Sequence, residues 1–393
     1  MWYNGLLDFS AWQIVGMALL FTHITIVSVT VYLHRYSAHR GLELSPILRH
    51  FFRLWLWLTT GMATKGWTAV HRKHHAKCET EEDPHSPVVL GIGKVLKEGA
   101  ELYRAGITKE TLDKYGKGTP EDWLETKVYE PHGRAGIFIF LAIDLILFGP
   151  IGITVWAVQM AWIPLFAAGV INGIGHYWGY RNYECADAST NIVPWGILIG
   201  GEELHNNHHT FPSSAKLSNK WYEFDIGWMY INIFKMLGLA QIKRVAPKPT
   251  KDASKNVIDT DTLTAIFDNR FQVMATYAKK VMAPLVDQEA AQADAASKPL
   301  FSKAAKILSR EESLVTEQDR KRIQEITDNN AVLKTIYEKR KELQNVWQTQ
   351  VTNNEELVKA LKEWIAKAEA TGIQALKEFA DSLSHYTTQP KAA

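Results

Sequence analysis

Residues 11–40 read AWQIVGMALLFTHITIVSVTVYLHRYSAHR, an uncharged run from Ala11 to Leu33 that ends in His34, Arg35, His39 and Arg40. At about 1.5 Å per residue, a helix of that length exceeds the roughly 30 Å hydrocarbon core of a bilayer. Met1 to Ser10 carries no Lys or Arg, so the positive-inside rule puts the N-terminus outside and His34 in the cytoplasm. No basic n-region or small-residue cleavage site marks a signal peptide. His23, in mid-span, reads as a packed or hydrogen-bonded structural histidine.

The two histidines that close this run belong to a wider pattern. Nine of the chain's 14 histidines fall into three clusters and one outlier. The clusters are H-R-Y-S-A-H-R (His34, His39), H-R-K-H-H (His71, His74, His75) and H-N-N-H-H (His205, His208, His209). The outlier is His176, four residues after Asn172. Neutral imidazole is the commonest metal ligand, and the number of rings exceeds what one metal needs, so two metals are expected. In H-x-x-H-H the rings stand at i, i+3 and i+4, on one helical face, where all three can aim into one space. Asn172 and His176 share a face in the same way. His34 and His39, five apart, are separated by about 140° on a regular helix. They can share a centre only where the helix bends or ends, or where the rings approach it from its sides.

Sidedness organises the rest of residues 1–245. Ile47 to Val70 looks like a second span, but Arg49, Arg53 and Lys65 leave an uncharged core too short to cross. It reads as an interfacial or shallowly inserted helix with Trp55, Trp57 and Trp67 at the boundary. Ala135 to Trp178 is apolar except for Asp144, which must face protein or water. Gly149-Pro150-Ile151-Gly152 is a turn between two spans, and the hairpin returns Asn172 and His176 to the inner boundary. The charged loop from Lys77 to Arg134 stays cytoplasmic, and Phe224 to Leu239 reads as an amphipathic helix against the membrane.

The expected fold is therefore an all-α membrane protein. It has about three transmembrane helices, four at most, under a cytoplasmic helical cap that holds a histidine-rich dimetal site. Residues 246–393 form a second, soluble helical module. No glycine occurs between Gly238 and Gly372, and Leu357, Leu361, Trp364 and Ala368 recur at helical spacing, as do Val332 and Ile336. Asp259-Thr260 is a helix start. A formal charge of +2 gives no suggestion of nucleic acid, and two cysteines rule out a disulfide framework.

A dimetal site of imidazoles at a membrane face, with no cysteine in any cluster, points to non-haem iron and oxygen chemistry. Zinc hydrolysis, with Glu202 or Glu203 as base, is open by residue type but does not explain nine imidazoles. The inert hydrocarbon at a bilayer boundary is a lipid chain.

H-R-Y-S-A-H-R, H-R-K-H-H with E-E-D-P-H-S-P downstream, and G-E-E-L-H-N-N-H-H-T-F-P resemble the three histidine boxes of the membrane-bound fatty-acyl desaturases. Residues 10–245 are similar to bacterial Δ9 acyl desaturases of the stearoyl-CoA desaturase type. The resemblance implies two irons, O2 as oxidant, and a long-chain fatty acyl substrate on CoA or in a phospholipid. It implies His34, His39, His71, His75 and His208 on one iron. His74, His176, His205 and His209 would hold the other, with Asn172 reaching it through water. His85 would support the site without binding iron, and Trp67 and Trp195 are candidates for the acyl tunnel. No H-P-G-G haem signature follows, so electrons are expected from a separate ferredoxin or rubredoxin with its flavin NAD(P)H reductase. The expected place is a bacterial inner membrane, with the site and C-terminus cytoplasmic. The rivals are a membrane hydroxylase or alkane monooxygenase, with longer gaps inside its boxes, and a metal transporter or sensor, with histidines along a span.

Overall fold

The structure is a computed structural model that describes residues 5–295, 297–348 and 353–389. Two compact units emerge: residues 1–181 with 187–246, and residues 247–393 with 182–186. The short segment 182–186 is one the sequence does not separate from its neighbours.

In the first unit, helix α1 (Ala11–Val27) runs straight into a π-helix, Ser28–Ala38. Together they run for 28 residues, and an 18-residue window within them has a mean hydropathy of 2.1. A second apolar stretch, Gly133–Ile174, passes the same test of length and composition. It is two arms. Helix α7 (Gly133–Phe148) ends where Gly149 turns at φ 68°, and helix α8 (Gly152–Trp162) continues as a π-helix, Ile163–Ile171. A side chain with a Cβ would be strained at that φ. Arms α7 and α8 pack against each other, and α1 packs on α8. The amides of Leu6 and Leu7 donate to the carbonyls of Ile146 and Leu147, so the start of α1 and the hairpin turn lie at one end. His34 lies in the last turns of the first of these helices, and His176 follows the end of the α8 arm.

Polar groups within the apolar arms face protein. Asp144 is fully buried, with an oxygen 3.5 Å from Gln159 Nε2. His23 Nε2 lies 2.8 Å from the Tyr230 hydroxyl.

Between the arms, Ser45 caps helix α2 (Pro46–Thr60), which packs along α7. The buried Arg53 guanidinium of α2 meets Asp122 at 2.6 Å and Glu125 at 2.9 Å, while Ile47, Phe51 and Leu54 stay exposed. Charge on one side and apolar side chains on another suit an interfacial helix. The cap then runs through α3 (Thr64–Lys77), α4 (Pro87–Leu90), α5 (Ile92–Gly106) and α6 (Lys109–Tyr115). After the hairpin come α9 (Asn172–Ile174), α10 (His205–Thr210) and α11 (Ile226–Met236). A short antiparallel ladder, Leu42–Leu44 with Ala240–Ile242, ties the first histidine box to the end of this unit.

The second unit is helical, with a two-stranded ladder of Thr250–Lys251 and Tyr386–Thr387. Asp259 caps its first helix by accepting from Thr262 N. Ile336, Leu361, Trp364 and Ala368 are buried in its core, with Val332 and Leu357 packed on the margin. The helical stripe in the sequence is thus a packing stripe.

Candidate metal centre

The π-helix solves the geometry of the first histidine box. A π-helix closes i→i+5 hydrogen bonds, and His39 N donates to His34 O at 3.0 Å. Residues five apart, which a regular helix would point about 140° away from each other, now share a face. The two ring centroids stand 4.8 Å apart.

The other boxes divide where spacing alone would pool them. His71 and His75, one turn apart on α3, join His34, His39 and His208. His74, the intervening i+3 residue, joins His176, His205 and His209. On α10 the same rule operates with the centres exchanged: His205 and His209 go one way and His208 the other. Side chains at i and i+4 differ by about 40° around the axis, and the i+3 residue lies on their other flank. Two helices that face each other can therefore feed two neighbouring nests. His75 and His209 stack between the nests, with centroids 4.3 Å apart and planes 24° apart.

Ring nitrogens converge closely. His34 Nε2 lies 3.0 Å from His208 Nε2, His208 Nε2 lies 2.9 Å from His75 Nε2, and His39 Nε2 lies 2.8 Å from His71 Nε2. In the second nest, His205 Nε2 and His176 Nε2 are 3.0 Å apart. His209 Nε2 is buried without a protein partner. Burial, then the neighbouring imidazoles, holds His39, His71, His75, His205, His208 and His209 well below the ordinary histidine range. Neutral rings present lone pairs, and lone pairs crowded together repel unless a cation sits among them. A metal with bonds of about 2.1 Å and right-angle neighbours needs nitrogens about 3.0 Å apart. The nests fit a metal ion each.

Four carboxylates on the far sides of the rings were not foreseen as a set. Glu202 Oε1 lies 2.8 Å from His34 Nδ1, Glu79 Oε1 lies 3.1 Å from His176 Nδ1, and Asp187 Oδ2 lies 3.1 Å from His209 Nδ1. Both Asp83 oxygens stand 3.0 Å from His74 Nδ1. Asp83, Glu79 and Asp187 hydrogen-bond their rings and leave Nε2 for metal, a common arrangement in metalloproteins, while Glu202 stands close beside the His34 ring. Burial raises Asp83, but the charge and hydrogen bond of His74 outweigh it and keep the carboxyl well below its usual range. The signal in the sequence was partial: Asp83 sits in E-E-D-P-H, whereas Asp187 belongs to no box.

Other expected residues separate. His85 packs on His74, centroids 4.3 Å apart, and burial then His74 push it down to about 3. It stands behind the nest. Cys78, which the sequence leaves outside every cluster, brings Sγ to 3.9 Å from His74 Nε2 and from His176 Nδ1. Gly175 lets His205 approach, because a Cβ there would meet the ring at 2.9 Å and Ile171 O at 2.2 Å.

An apolar cavity of about 380 Å³ reaches the nests. Its walls include Trp156, Met160, Ile163 and Ala167 of the α8 arm, and its inner end includes His34, His71 and His205. Asn172 and Trp67 line it, and Trp67 stacks on His71 at 4.8 Å. Trp195 does not line it. Strand pairing of Trp195–Gly196 with Phe224–Asp225 turns that indole outward, 64% exposed.

Histidine nests that fit two metals, at the end of an apolar cavity, are what the comparisons with known proteins speak to. A family profile described as fatty acid desaturase matches residues 10–225. The chain belongs to the fatty acid desaturase family. It is 31% identical to an sn-1 stearoyl-lipid 9-desaturase of Anabaena variabilis, over 61% of this chain and 86% of that one. It is 29% identical to Delta-9 acyl-lipid desaturase 2 of Arabidopsis thaliana, over 58% and 74%. It is 28% identical to an icosanoyl-CoA 5-desaturase of Limnanthes douglasii, over 58% and 64%. The desaturase is thus an oxidoreductase of fatty-acid metabolism, similar to Δ9 acyl-lipid desaturases. A second profile, described as a transposase, matches residues 260–390. The candidate metal-binding groups among the described residues all lie in the first unit.

Proposed function

We propose that the chain is an O2-dependent desaturase that places a cis double bond, at Δ9, in a long saturated acyl chain. The observation that carries this reading is the pair of imidazole nests at the inner end of an apolar cavity. An all-nitrogen donor set with four carboxylates behind it suits two irons, which when bound supply O2 activation and removal of hydrogen from an unactivated C–H bond. The balance is R–CH2–CH2–R′ + O2 + 2 e⁻ + 2 H⁺ → R–CH=CH–R′ + 2 H2O. The electrons come from a separate iron–sulfur or flavin protein.

The chain's own residues have distinct parts. Glu202, Asp83, Glu79 and Asp187 fix the rings and offset the charge of two cations. Trp67 holds the His71 ring flat against the cavity wall. The apolar lining excludes water and lays methylenes beside the nests, where binding orients a chain that has no polar handle of its own. Asn172, a turn before His176, reaches the second nest through water. Three spans place the N-terminus outside, with the site in the cytoplasm of a bacterial inner membrane.

The test is lipid analysis of a host without desaturases, expressing the parent chain or its His208→Ala variant with a supplied electron donor. New monounsaturated chains with the parent and none with the variant support the proposal, and the bond position reads out Δ9 directly. Hydroxylated chains instead would identify a monooxygenase.

A further inference from the structure

A basic groove of about 600 Å³ lies beside the first histidine box. Arg40, Arg72, Lys114, Lys117, Lys243 and Arg244 line it, with no carboxylate among its nine lining residues. Lys243 is paired with Glu43. Arg72 and Arg40 are held by backbone carbonyls. Arg72 donates to Ala38 O, Ser37 O, Tyr115 O and Lys117 O at 2.7–3.0 Å, and Arg40 to Lys117 O at 3.3 Å. Their charges are fixed in place without being neutralised. Arg40 also has φ 53°, a left-handed backbone that costs a non-glycine residue about 1 kcal/mol.

His39 is the one member of the histidine nests that lines this groove. Its Nε2 belongs to the first nest, 2.8 Å from His71 Nε2, so a partner seated in the groove is one imidazole away from the centre. The apolar cavity shares no lining residue with the groove. An acyl-CoA head must sit at the mouth of the cavity that takes its chain, which leaves the groove to something else. We infer that this groove docks an acidic one-electron carrier protein of the iron–sulfur type, and that His39 is where its electrons enter. The inference rests on the desaturase reading for its purpose but not for its test. Each encounter leaves the carrier oxidised by one electron. Two encounters, with two protons from solvent, complete the balance that converts O2 and two substrate hydrogens to two waters. Opposite charge speeds and orients such encounters, and salt weakens them.

The test uses the full chain in nanodiscs and a plant-type [2Fe–2S] ferredoxin as probe. A triple reversal, Lys114→Glu with Lys117→Glu and Arg244→Glu, is compared with the parent. A control reversal of equal charge, Lys94→Glu with Lys97→Glu and Lys235→Glu, uses exposed lysines outside the groove. Melting temperature and iron content report folding. Ferredoxin affinity of the groove variant should fall about tenfold or more at about 50 mM salt, with the gap closing at high salt and the control near parent. The ratio of ferredoxin-driven to viologen-driven rates should fall in parallel, because a merely structural defect lowers both. Equal affinity for all three proteins overturns the inference, as does an equal loss in groove and control variants. Loss of coenzyme A binding with ferredoxin affinity intact would make the groove a nucleotide site. Absence of unsaturated product from the parent with viologen strikes the desaturase reading, while ferredoxin binding still decides the groove.

Discussion

Replacing Asp83 by Asn should empty one metal site and spare the other. Asp83 accepts from His74 Nδ1 with both oxygens at 3.0 Å, and from Glu79 N at 3.0 Å and His85 N at 3.1 Å. The amide keeps one acceptor oxygen and turns an NH2 group toward a donor. A hydrogen bond to a charged group contributes about 1.5–3 kcal/mol and a neutral one about 1. Losing the charge and misplacing one donor therefore costs about 2 kcal/mol, close to a thirtyfold loss of affinity. Changes behind a metal-binding histidine usually cost about 10–100-fold. The five-histidine nest does not contain His74 and should keep its affinity. Titration of metal-stripped protein with Co(II) against a competing chelator, in detergent, resolves the two classes of site. Equal weakening at both sites would refute the division of the rings, and no weakening at either would refute the role of Asp83.

Further changes test other links. Arg35 and Asp225 form a bidentate pair with both side chains buried, and Arg35 also binds the carbonyls of Gly200 and Ala215. Arg35→Met strands a buried carboxylate and should cost about 3–5 kcal/mol in denaturant unfolding; a loss below 1 kcal/mol would show that the pair holds nothing. Asp122 is held down to about 2, chiefly by its hydrogen bonds from Arg53. A depressed carboxyl stabilises the fold fully above its ordinary value of 3.8 and loses that contribution as pH falls through about 2. The melting-temperature gap between parent and Asp122→Asn should therefore shrink across that window, and a constant gap would exclude the linkage. Ala168 lines the apolar cavity, so Ala168→Phe should cut turnover of the longest chains about tenfold and shift products to shorter ones; an unchanged product profile would place the acyl chain elsewhere. Trp364 is buried in the second unit and its Nε1 donates to Lys339 O, so Trp364→Ala should cost that unit about 3–5 kcal/mol by differential scanning calorimetry.

Much of this was legible because it depends on local periodicity. An uncharged run beside arginines, repeated H-x-x-H-H, and Gly149-Pro150 between apolar arms state helices, turns and ligands within a few residues. The stripe of Leu361, Trp364 and Ala368 does the same for the second unit. Where the reading failed, the deciding contact was remote or the backbone irregular. The π-helix at Ser28–Ala38 obeys no residue pattern that separates it from an α-helix. Asp187 approaches His209 and Glu79 approaches His176 only after the chain folds. Trp195 looks like any boundary tryptophan until a strand pair fixes its direction.

The sequence by itself determined which side chains could hold metal, and that long apolar helices accompany them. Composition and spacing are properties of the chain. Spacing left open how nine imidazoles divide between two nests, a division that the family resemblance implied; only the tertiary structure decided which carboxylates orient them, and that a cavity and a basic groove meet them through different walls. Those are relations between helices distant in sequence, set by a π-turn that rotates His39 onto the face of His34 and by α3 facing α10.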